Sequence, residues 1–485
     1  MTGDPRERLR EVERDILARR PESDIEPTLE RIATLTGLLG DPQRACPVIH
    51  ITGTNGKTST ARMIDALLRE RGLRTGRFTS PHLVSMRERI CVDGEPLDAE
   101  RFTALYDEIL PYLRLTDEQH QVRLSFFEVL TGMAFAAFAD APVDVAVVEV
   151  GIGGTWDATN VADGAVAVVC PVAIDHTKYL GDDVESIAGE KAGIIKPGAT
   201  AVLAQQPLAA AEVLLRRVAD VGAVVAREGI EFGVLGRDLA VGGQQLSLRG
   251  LHGTYPEVFL PLFGEHQAGN AACALAAVEA FAGVADGESG GQRAPLEIDL
   301  VRDAFAGVRS PGRLEVLRRS PTVIADAAHN PAGMAATATA LREAFTFSRL
   351  VGVLAASGDK DVAGLLDELE PLLSDVVVTR NSSSRSMPVG ELAGLARDVF
   401  GAGRVHVAGR MDDALEEAVA LADETPEADL PGSGAVLVTG SVVTAGDVRL
   451  LLGAGQDTGD ASVRDGKGQQ SHGAGRHTFT AADLS

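Results

Sequence analysis

Lysine, cysteine, aromatic side chains and long apolar runs are all scarce in this chain, and each scarcity excludes something. The four cysteines, Cys46, Cys91, Cys170 and Cys273, stand far apart, so neither a disulfide framework nor a cysteine zinc site is expected. No uninterrupted apolar run reaches the roughly 20 residues that cross a bilayer. The N-terminus, Met1-Thr-Gly-Asp-Pro-Arg-Glu-Arg8, has no apolar signal core. A cytoplasmic protein without membrane contact is therefore expected. Positive charge is also short: 45 basic against 69 acidic residues give a formal net charge of −24, which argues against nucleic acid as a partner. Aromatics are sparse at 4%, whereas a hydrophobic content of 45% is ordinary for a globular chain. At 485 residues, two domains are expected. Lysine is the most telling shortage. Among the 45 basic residues only Lys57, Lys178, Lys191, Lys196, Lys360 and Lys467 are lysines. In an arginine-default chain, a retained lysine marks a place that needs a compact or deprotonatable amine, unless chance and helix preference kept it.

What is present centres on Pro47-Val-Ile-His-Ile-Thr-Gly-Thr-Asn-Gly-Lys-Thr-Ser-Thr60. Its apolar start reads as a buried parallel strand, Gly53 and Gly56 as a tight turn, and Lys57 as the start of an amphipathic helix stopped by Gly72. Strand, glycine turn and helix N-terminus together aim backbone N–H groups at one anion. Lys57 adds an ammonium for the β/γ-phosphates, and the Thr58 hydroxyl suits Mg²⁺. A full Walker pattern wants four residues between its glycines, and here only Thr54 and Asn55 intervene. The match is to the variant Gly-Thr-Asn-Gly-Lys-Thr, which resembles ATP-dependent amide ligases of the Mur type.

The rest of the chain reads as α/β. Helices are predicted over Arg6–Arg20, from Ile25 to Gly40 with Pro27 in the first turn, over Ser125–Phe138, and over Asn270–Gly283. Asp144–Val150 and Gly164–Ile174 read as strands, and Pro81–Ile90 as an irregular polar loop. Phe232–Phe263 alternates and reads as a small antiparallel ribbon. Four further apolar strands, Thr322–Ala325, Leu350–Ala355, Val376–Thr379 and Ala435–Thr439, follow a boundary near Ser310-Pro-Gly-Arg313. The expected architecture is a mostly parallel-sheet, P-loop ATPase-like domain over 1–309 and a smaller Rossmann-like α/β domain over 310–453. Residues 454–485 are polar and glycine-rich, and are expected to be disordered.

Further motifs follow in order: Phe78-Thr-Ser-Pro-His-Leu83, Glu149-Val-Gly-Ile-Gly-Gly154 with Asp157-Ala-Thr-Asn160, and Asp175-His176. Ile187-Ala-Gly-Glu-Lys-Ala-Gly-Ile-Ile-Lys196, Gly264-Glu-His-Gln-Ala-Gly-Asn270, Pro311-Gly-Arg-Leu-Glu315 and Asp326-Ala-Ala-His-Asn-Pro331 complete the series. With the phosphate turn, this ordered set resembles the bifunctional dihydrofolate synthase/folylpolyglutamate synthase family, within the Mur ligase superfamily, over roughly residues 25 to 450. The resemblance implies a ligase that joins L-glutamate to dihydropteroate and to reduced folates through an acyl phosphate. It implies ATP, two Mg²⁺ ions, and a monomer.

Residue by residue, the resemblance places nucleotide at Thr54, Asn55, Gly56, Lys57, Thr58, Ser59, Asn270, Arg313 and Asp326. It places metal at Ser80, Glu149, His176 and Thr58. The oxygen and imidazole donors suit Mg²⁺, and strand ends are where open α/β sheets hold ligands. Lys191 matches a lysine that related ligases carry as a CO₂ carbamate (N6-carboxylysine), so it counts as a further metal ligand and, with Lys57 and His329, as catalytic. Substrate contacts fall on Phe126, Phe127, His82, Asp157 and Lys360. Each has a plainer reading: a hydrogen-bonded structural histidine at His176, a turn histidine at His329, core packing for either phenylalanine, a solvated loop at Lys360, an ion-paired helix lysine at Lys191. Two rival functions remain. A Mur-type ligase of muramyl nucleotides usually carries a separate N-terminal domain, for which fewer than 50 residues leave little chain. A P-loop ATPase that is not a ligase would turn over ATP without an acceptor.

Overall fold

Runs of β-branched residues buried on both faces build the main sheet, as expected where helices cover a parallel sheet. In the computed structural model, which describes residues 5–22, 24–285, 294–423 and 434–454, this sheet has eight strands. In chain order they are β1 (Val48–Thr52), β2 (Thr75–Phe78), β3 (Ile90–Val92), β4 (Glu95–Pro96), β5 (Val145–Glu149), β6 (Gly164–Val169), β7 (Thr200–Leu203) and β8 (Val224–Arg227). Their spatial order is β4-β3-β2-β5-β1-β6-β7-β8; β3 pairs antiparallel with both β2 and β4, and every other pairing is parallel. β1 is therefore central, between β5 and β6. The alternation of strand side chains divides the core in two. Ile49, Ile51, Val145 and Val147 pack under the Lys57–Glu70 and Glu265–Ala285 helices, whereas Val48, Ala146 and Val148 pack under the Phe126–Asp140 helix on the other face.

A three-stranded antiparallel ribbon follows: β9 (Gly233–Ala240), β10 (Gly243–Arg249) and β11 (Thr254–Leu260). The second sheet contains β12 (Glu315–Arg319), β13 (Thr322–Ala325), β14 (Arg349–Leu354), β15 (Asp375–Val378), β16 (Val405–Val407) and β17 (Gly434–Thr439). It is ordered β12-β13-β17-β14-β15-β16, parallel except at the β12 edge. Both sheets direct their strand carboxyl ends to one cleft. The sides are joined by Phe263 against Phe345 (ring centroids 4.8 Å apart), an Arg237–Glu343 ion pair at 2.6 Å, and Leu83 against Gly312. Gly446 has no room for a side chain there, because a Cβ would lie 2.1 Å from the Leu83 carbonyl oxygen.

The α/β architecture, the ribbon and the four named strands of the second sheet are present as expected. Three local expectations shift. The second helix runs Glu30–Leu38, not from Ile25, because Ile25, Glu26 and Thr28 line the cleft and Arg31 is anchored to Glu26 and Glu128. The alanine-rich helix begins at Glu265, and Pro81–Ile90 contains a 3₁₀ turn at Met86–Arg89 closed by a Ser85–Glu88 capping box. The expected 454–485 tail lies, from Gly455 onward, outside the described residues. No described helix is long and apolar enough to cross a membrane.

Candidate active site

The phosphate turn leaves β1 at the centre of the sheet. Gly53 has φ 144°, and a Cβ there would meet Cys170 Cβ at 2.6 Å; Gly56 has φ 89°, and a Cβ there would meet Asn270 Oδ1 at 2.4 Å. Both positions exclude any side chain. Thr54 is tied to the loop after β6, its hydroxyl donating to Ala173 O (2.9 Å) and accepting from Ala173 N (3.0 Å). Lys57 curls back over its own turn, with Nζ donating to Gly53 O (3.1 Å) and Thr54 O (3.2 Å). Ser59 is buried and its hydroxyl meets Ser310 Oγ at 3.1 Å.

Oxygen donors converge beside this turn. Thr58 Oγ1 donates to both oxygens of Glu149 (2.9 and 3.1 Å), and Ser80 N–H reaches Glu149 Oε2 at 3.2 Å. Glu149 is 1% exposed. Burial pushes its carboxyl pKa up, opposed first by the Lys57 charge and then by these hydrogen bonds. A buried carboxylate set among hard oxygen donors fits Mg²⁺. Among the described residues no three His, Cys, Asp or Glu side chains cluster for a metal, so a bound Mg²⁺ would need phosphate oxygens and water to complete its shell.

Lys191 is buried, and its Nζ donates to Gly53 O at 2.9 Å. Burial, then the nearby Lys57 charge, lowers its pKa to about 7. Lys196 instead ties Asn160 O (2.8 Å), Ala162 O (2.6 Å) and Asp163 (3.0 Å), while Lys178 is exposed beside the Tyr179 ring. The shortage of lysine thus marks Lys57, Lys191 and Lys360 as cleft residues and leaves Lys196 a structural tie.

The second domain enters through Asp175, a residue the motifs contain but sequence reasoning gave no role. Its carboxylate accepts from Lys360 Nζ (2.6 Å) and Asn330 Nδ2 (3.1 Å), with His329 Nε2 at 3.8 Å and His176 Nε2 at 3.9 Å. Asn330 also exchanges two amide hydrogen bonds with Asn55 (3.1 and 3.2 Å) and caps the Pro331–Ala344 helix. His176 and His329, which carry charge only in acid, and the Lys360 ammonium draw the Asp175 carboxyl well below its usual range despite burial. His176 has φ 52° and is held neutral by burial, with its pKa lowered to about 4; Lys360 lies 3.4 Å from its Nε2. His329 donates from Nδ1 to Ala327 O (3.0 Å), which leaves Nε2 as an acceptor. Arg313 lines the cleft and Asn270 packs on Gly56. Asp326 accepts from Leu314 N, Ala328 N and Thr337 Oγ1, each at 2.9 Å, so only part of its acceptor capacity is open to a ligand. Replacing Asp175 by alanine strands the buried Lys360 ammonium, a change that costs about 2–5 kcal/mol in comparable pairs. Small-angle scattering of Asp175→Ala is expected to show a larger radius than the unmodified chain.

At the other end of the cleft Phe127 lines the wall, its ring 5.7 Å from Phe78. Phe126 does not reach the cleft: it is 6% exposed, packed in the core beneath the Arg89 guanidinium. Asp157 spends its carboxylate on Ile152 N (3.0 Å), Thr159 N (2.9 Å) and Thr159 Oγ1 (2.5 Å), which shapes the Gly151–Gly154 loop. His82 lines the wall and accepts from Arg89. Sequence reasoning missed Trp156 and Tyr179 here, although Trp156 is the chain's single tryptophan and that rarity was the available signal. The whole cleft measures about 1740 Å³. Single-ligand pockets are roughly 300–1,000 Å³, so this one has room for a nucleotide and an acceptor together.

Fold and cleft define a two-domain ligase of the Mur type. The Mur ligase middle domain family matches residues 51–278, and the Mur ligase glutamate ligase domain family matches residues 312–442. The dihydrofolate synthase/folylpolyglutamate synthase of Mycobacterium tuberculosis is 52% identical over 463 residues, 92% of this chain and 94% of that protein. The Escherichia coli enzyme of the same name is 32% identical over 435 residues, 89% of this chain and 92% of that protein. The M. tuberculosis folylpolyglutamate synthase structure with ADP superposes with a TM-score of 0.88 at 52% identity, covering 93% of this chain and 99% of that one. E. coli FolC with DHPP and ADP gives a TM-score of 0.79 at 30% identity, covering 93% and 99%. The chain belongs to the dihydrofolate synthase/folylpolyglutamate synthase family of ATP-dependent glutamate ligases.

Proposed function

We propose that this chain ligates L-glutamate both to dihydropteroate and to reduced-folate polyglutamates, acting as a cytoplasmic monomer with a boundary between its domains near residue 310. The supporting observation is the shared cleft. Lys57, Glu149 and Lys191 stand at its phosphate end, Arg313, His329 and Lys360 reach in from the second domain, and Phe127, Trp156 and Tyr179 wall the far end.

A carboxylate is a poor electrophile, so the acceptor's carboxyl oxygen first attacks the γ-phosphorus of ATP, releasing ADP and leaving an acyl phosphate. The turn N–H groups, Lys57 and Arg313 hold the phosphates as charge develops. Thr58, Ser80, Glu149 and His176 would hold Mg²⁺, which supplies charge neutralisation between ATP and the acceptor carboxylate. With its proton committed at Nδ1, His329 offers Nε2 to the glutamate amine. That amine attacks the acyl carbon and expels phosphate. Carboxylation of the Lys191 amine by CO₂, releasing one proton, would turn a neutral amine into an anionic oxygen donor beside the turn.

Purified protein with ATP and L-glutamate is expected to release ADP with dihydropteroate and with a glutamylated reduced folate. It should release none with a muramyl nucleotide and none without acceptor. Ligation of only one folate acceptor would defeat the dual assignment, and acceptor-independent turnover would defeat ligation altogether. Because Trp156 is the sole tryptophan, its fluorescence should change on titration with acceptor alone, and Trp156→Phe should abolish the signal.

A further inference from the structure

Arg89 is a fully buried guanidinium, a group that donates hydrogen bonds but never accepts them. Nη1 and Nη2 fork onto Glu22 Oε2 and Oε1 at 2.8 and 3.1 Å, and Nε donates to His82 Nδ1 at 2.9 Å. Its face lies 5.0 Å from the centre of the Phe126 ring. A partner that can only donate requires a lone pair on His82 Nδ1. The ring is thus neutral, and its one proton sits on Nε2. Nε2 is not among the sealed, unpartnered atoms of the described residues, and His82 lines the cleft between Ser80 and the Ser125–Glu128 segment. The loop is rigid, since Glu88 accepts from Leu83 N (2.9 Å), Val84 N (3.0 Å) and Ser85 N (2.7 Å), locking His82 and Arg89 into one unit.

We propose that His82 is a fixed Nε2–H donor that reads a carbonyl or carboxylate oxygen of the acyl acceptor, and that Arg89, clamped by Glu22, is the positioning residue that sets its tautomer. The proposal rests on the acceptor reading of this end of the cleft. The placement suits the role: Ser80, two residues away, touches Glu149 at the phosphate end, while Phe127 walls the aromatic side. The other tautomer would present a lone pair to the same oxygen and repel it. Glu22 belongs to the first cleft-lining stretch of the chain, so this clamp also ties the N-terminal segment to the substrate wall.

¹⁵N-histidine spectra of the full chain test the tautomer directly, with the His82 signals assigned by their loss in His82→Gln. The expected result at pH 7 is a neutral Nε2–H ring, because Arg89 Nε can only donate to Nδ1. An Nδ1–H or charged ring at that pH would overturn the proposal. In Arg89→Met, the ring is expected to lose its tautomer preference. In steady-state kinetics His82→Phe should raise the acceptor KM about tenfold, the effect of one hydrogen bond. His82→Gln, whose amide N–H can reach the Nε2 position, should stay within about threefold of the unmodified enzyme. KM for ATP should not move in either. An unchanged acceptor KM in His82→Phe would overturn the proposal, provided Trp156 fluorescence shows the acceptor binding. Absence of acceptor binding in the unmodified chain would overturn the acceptor reading instead.

Discussion

Lys191→Ala is expected to lose roughly 10²–10³-fold in kcat, the scale of removing one charge-stabilising group from a closed site. A short-chain carboxylate added in solution should restore part of that activity if Lys191 acts as a carbamate, because it can occupy the space that carbamate would fill. Lys191→Arg should be as inactive as the alanine variant and resist rescue. A guanidinium stays protonated and cannot attack CO₂, and it would fill the space the carboxylate needs. The structure supplies the condition the chemistry requires. The amine is buried against Gly53 O, beside a second ammonium, with a pKa lowered to about 7. A fully active Lys191→Ala variant, together with density for an unmodified ammonium in a nucleotide complex, would rule the carbamate out.

The same shift gives a pH dependence. In the unfolded chain a lysine keeps its proton to about pH 10.4, whereas folded, unmodified Lys191 releases it near 7. Between those values the unfolded state binds more protons, so the Lys191 contribution raises stability as pH climbs from 7 towards 10. Below pH 7 both states are protonated and the burial penalty is present in full. Carboxylation needs the neutral amine, so CO₂-dependent activation at fixed CO₂ should rise with pH through about 7. Activity independent of added CO₂ and of pH across that window would speak against it.

The phosphate turn was legible because its glycines, lysine and threonine are local: one strand, one turn and one helix, each with its own periodicity. Glu149 was legible because a charge at the end of Val145–Val148 needs compensation. The Asp175 cluster was not, since Asp175, Asn55, Asn330 and Lys360 come from four separate loops, and only packing of the second sheet against the first brings them within 3.2 Å. The same holds for the helix that begins at Glu30 and not at Ile25. Propensity favoured the earlier start, but the Arg31 pairs with Glu26 and Glu128 go with Ile25, Glu26 and Thr28 lying outside the helix along the cleft wall. Arg89 illustrates the limit best. In sequence it is one arginine in an arginine-rich loop, and its significance rests on Glu22, 67 residues earlier, and on His82, seven residues earlier.

Lys57→Ala should abolish ligation, with a loss of at least about 10³-fold, the lower end of what a phosphate-clamping cation contributes to phosphoryl transfer. Folding should be near normal. Lys57 is half-buried at the rim of its turn, and its two hydrogen bonds go to Gly53 O and Thr54 O, carbonyls that face the cleft and that water can serve. Lys57→Arg tests geometry against charge. The turn that Lys57 wraps has no slack: Gly53 lies against Cys170, Gly56 against Asn270, and the Lys191 amine already occupies Gly53 O. A compact ammonium fits between two carbonyls of one tight turn, whereas a planar fork with five donors must straddle them and displace either the turn or Lys191. The arginine variant is therefore expected to fold and to fail in the coupled ADP-release assay nearly as completely as alanine. Its failure despite retained charge would separate the cradle's shape from its electrostatics. Substantial activity in Lys57→Arg would mean that the cation acts at a distance from the turn, and that the wrapped conformation is not the one that binds nucleotide.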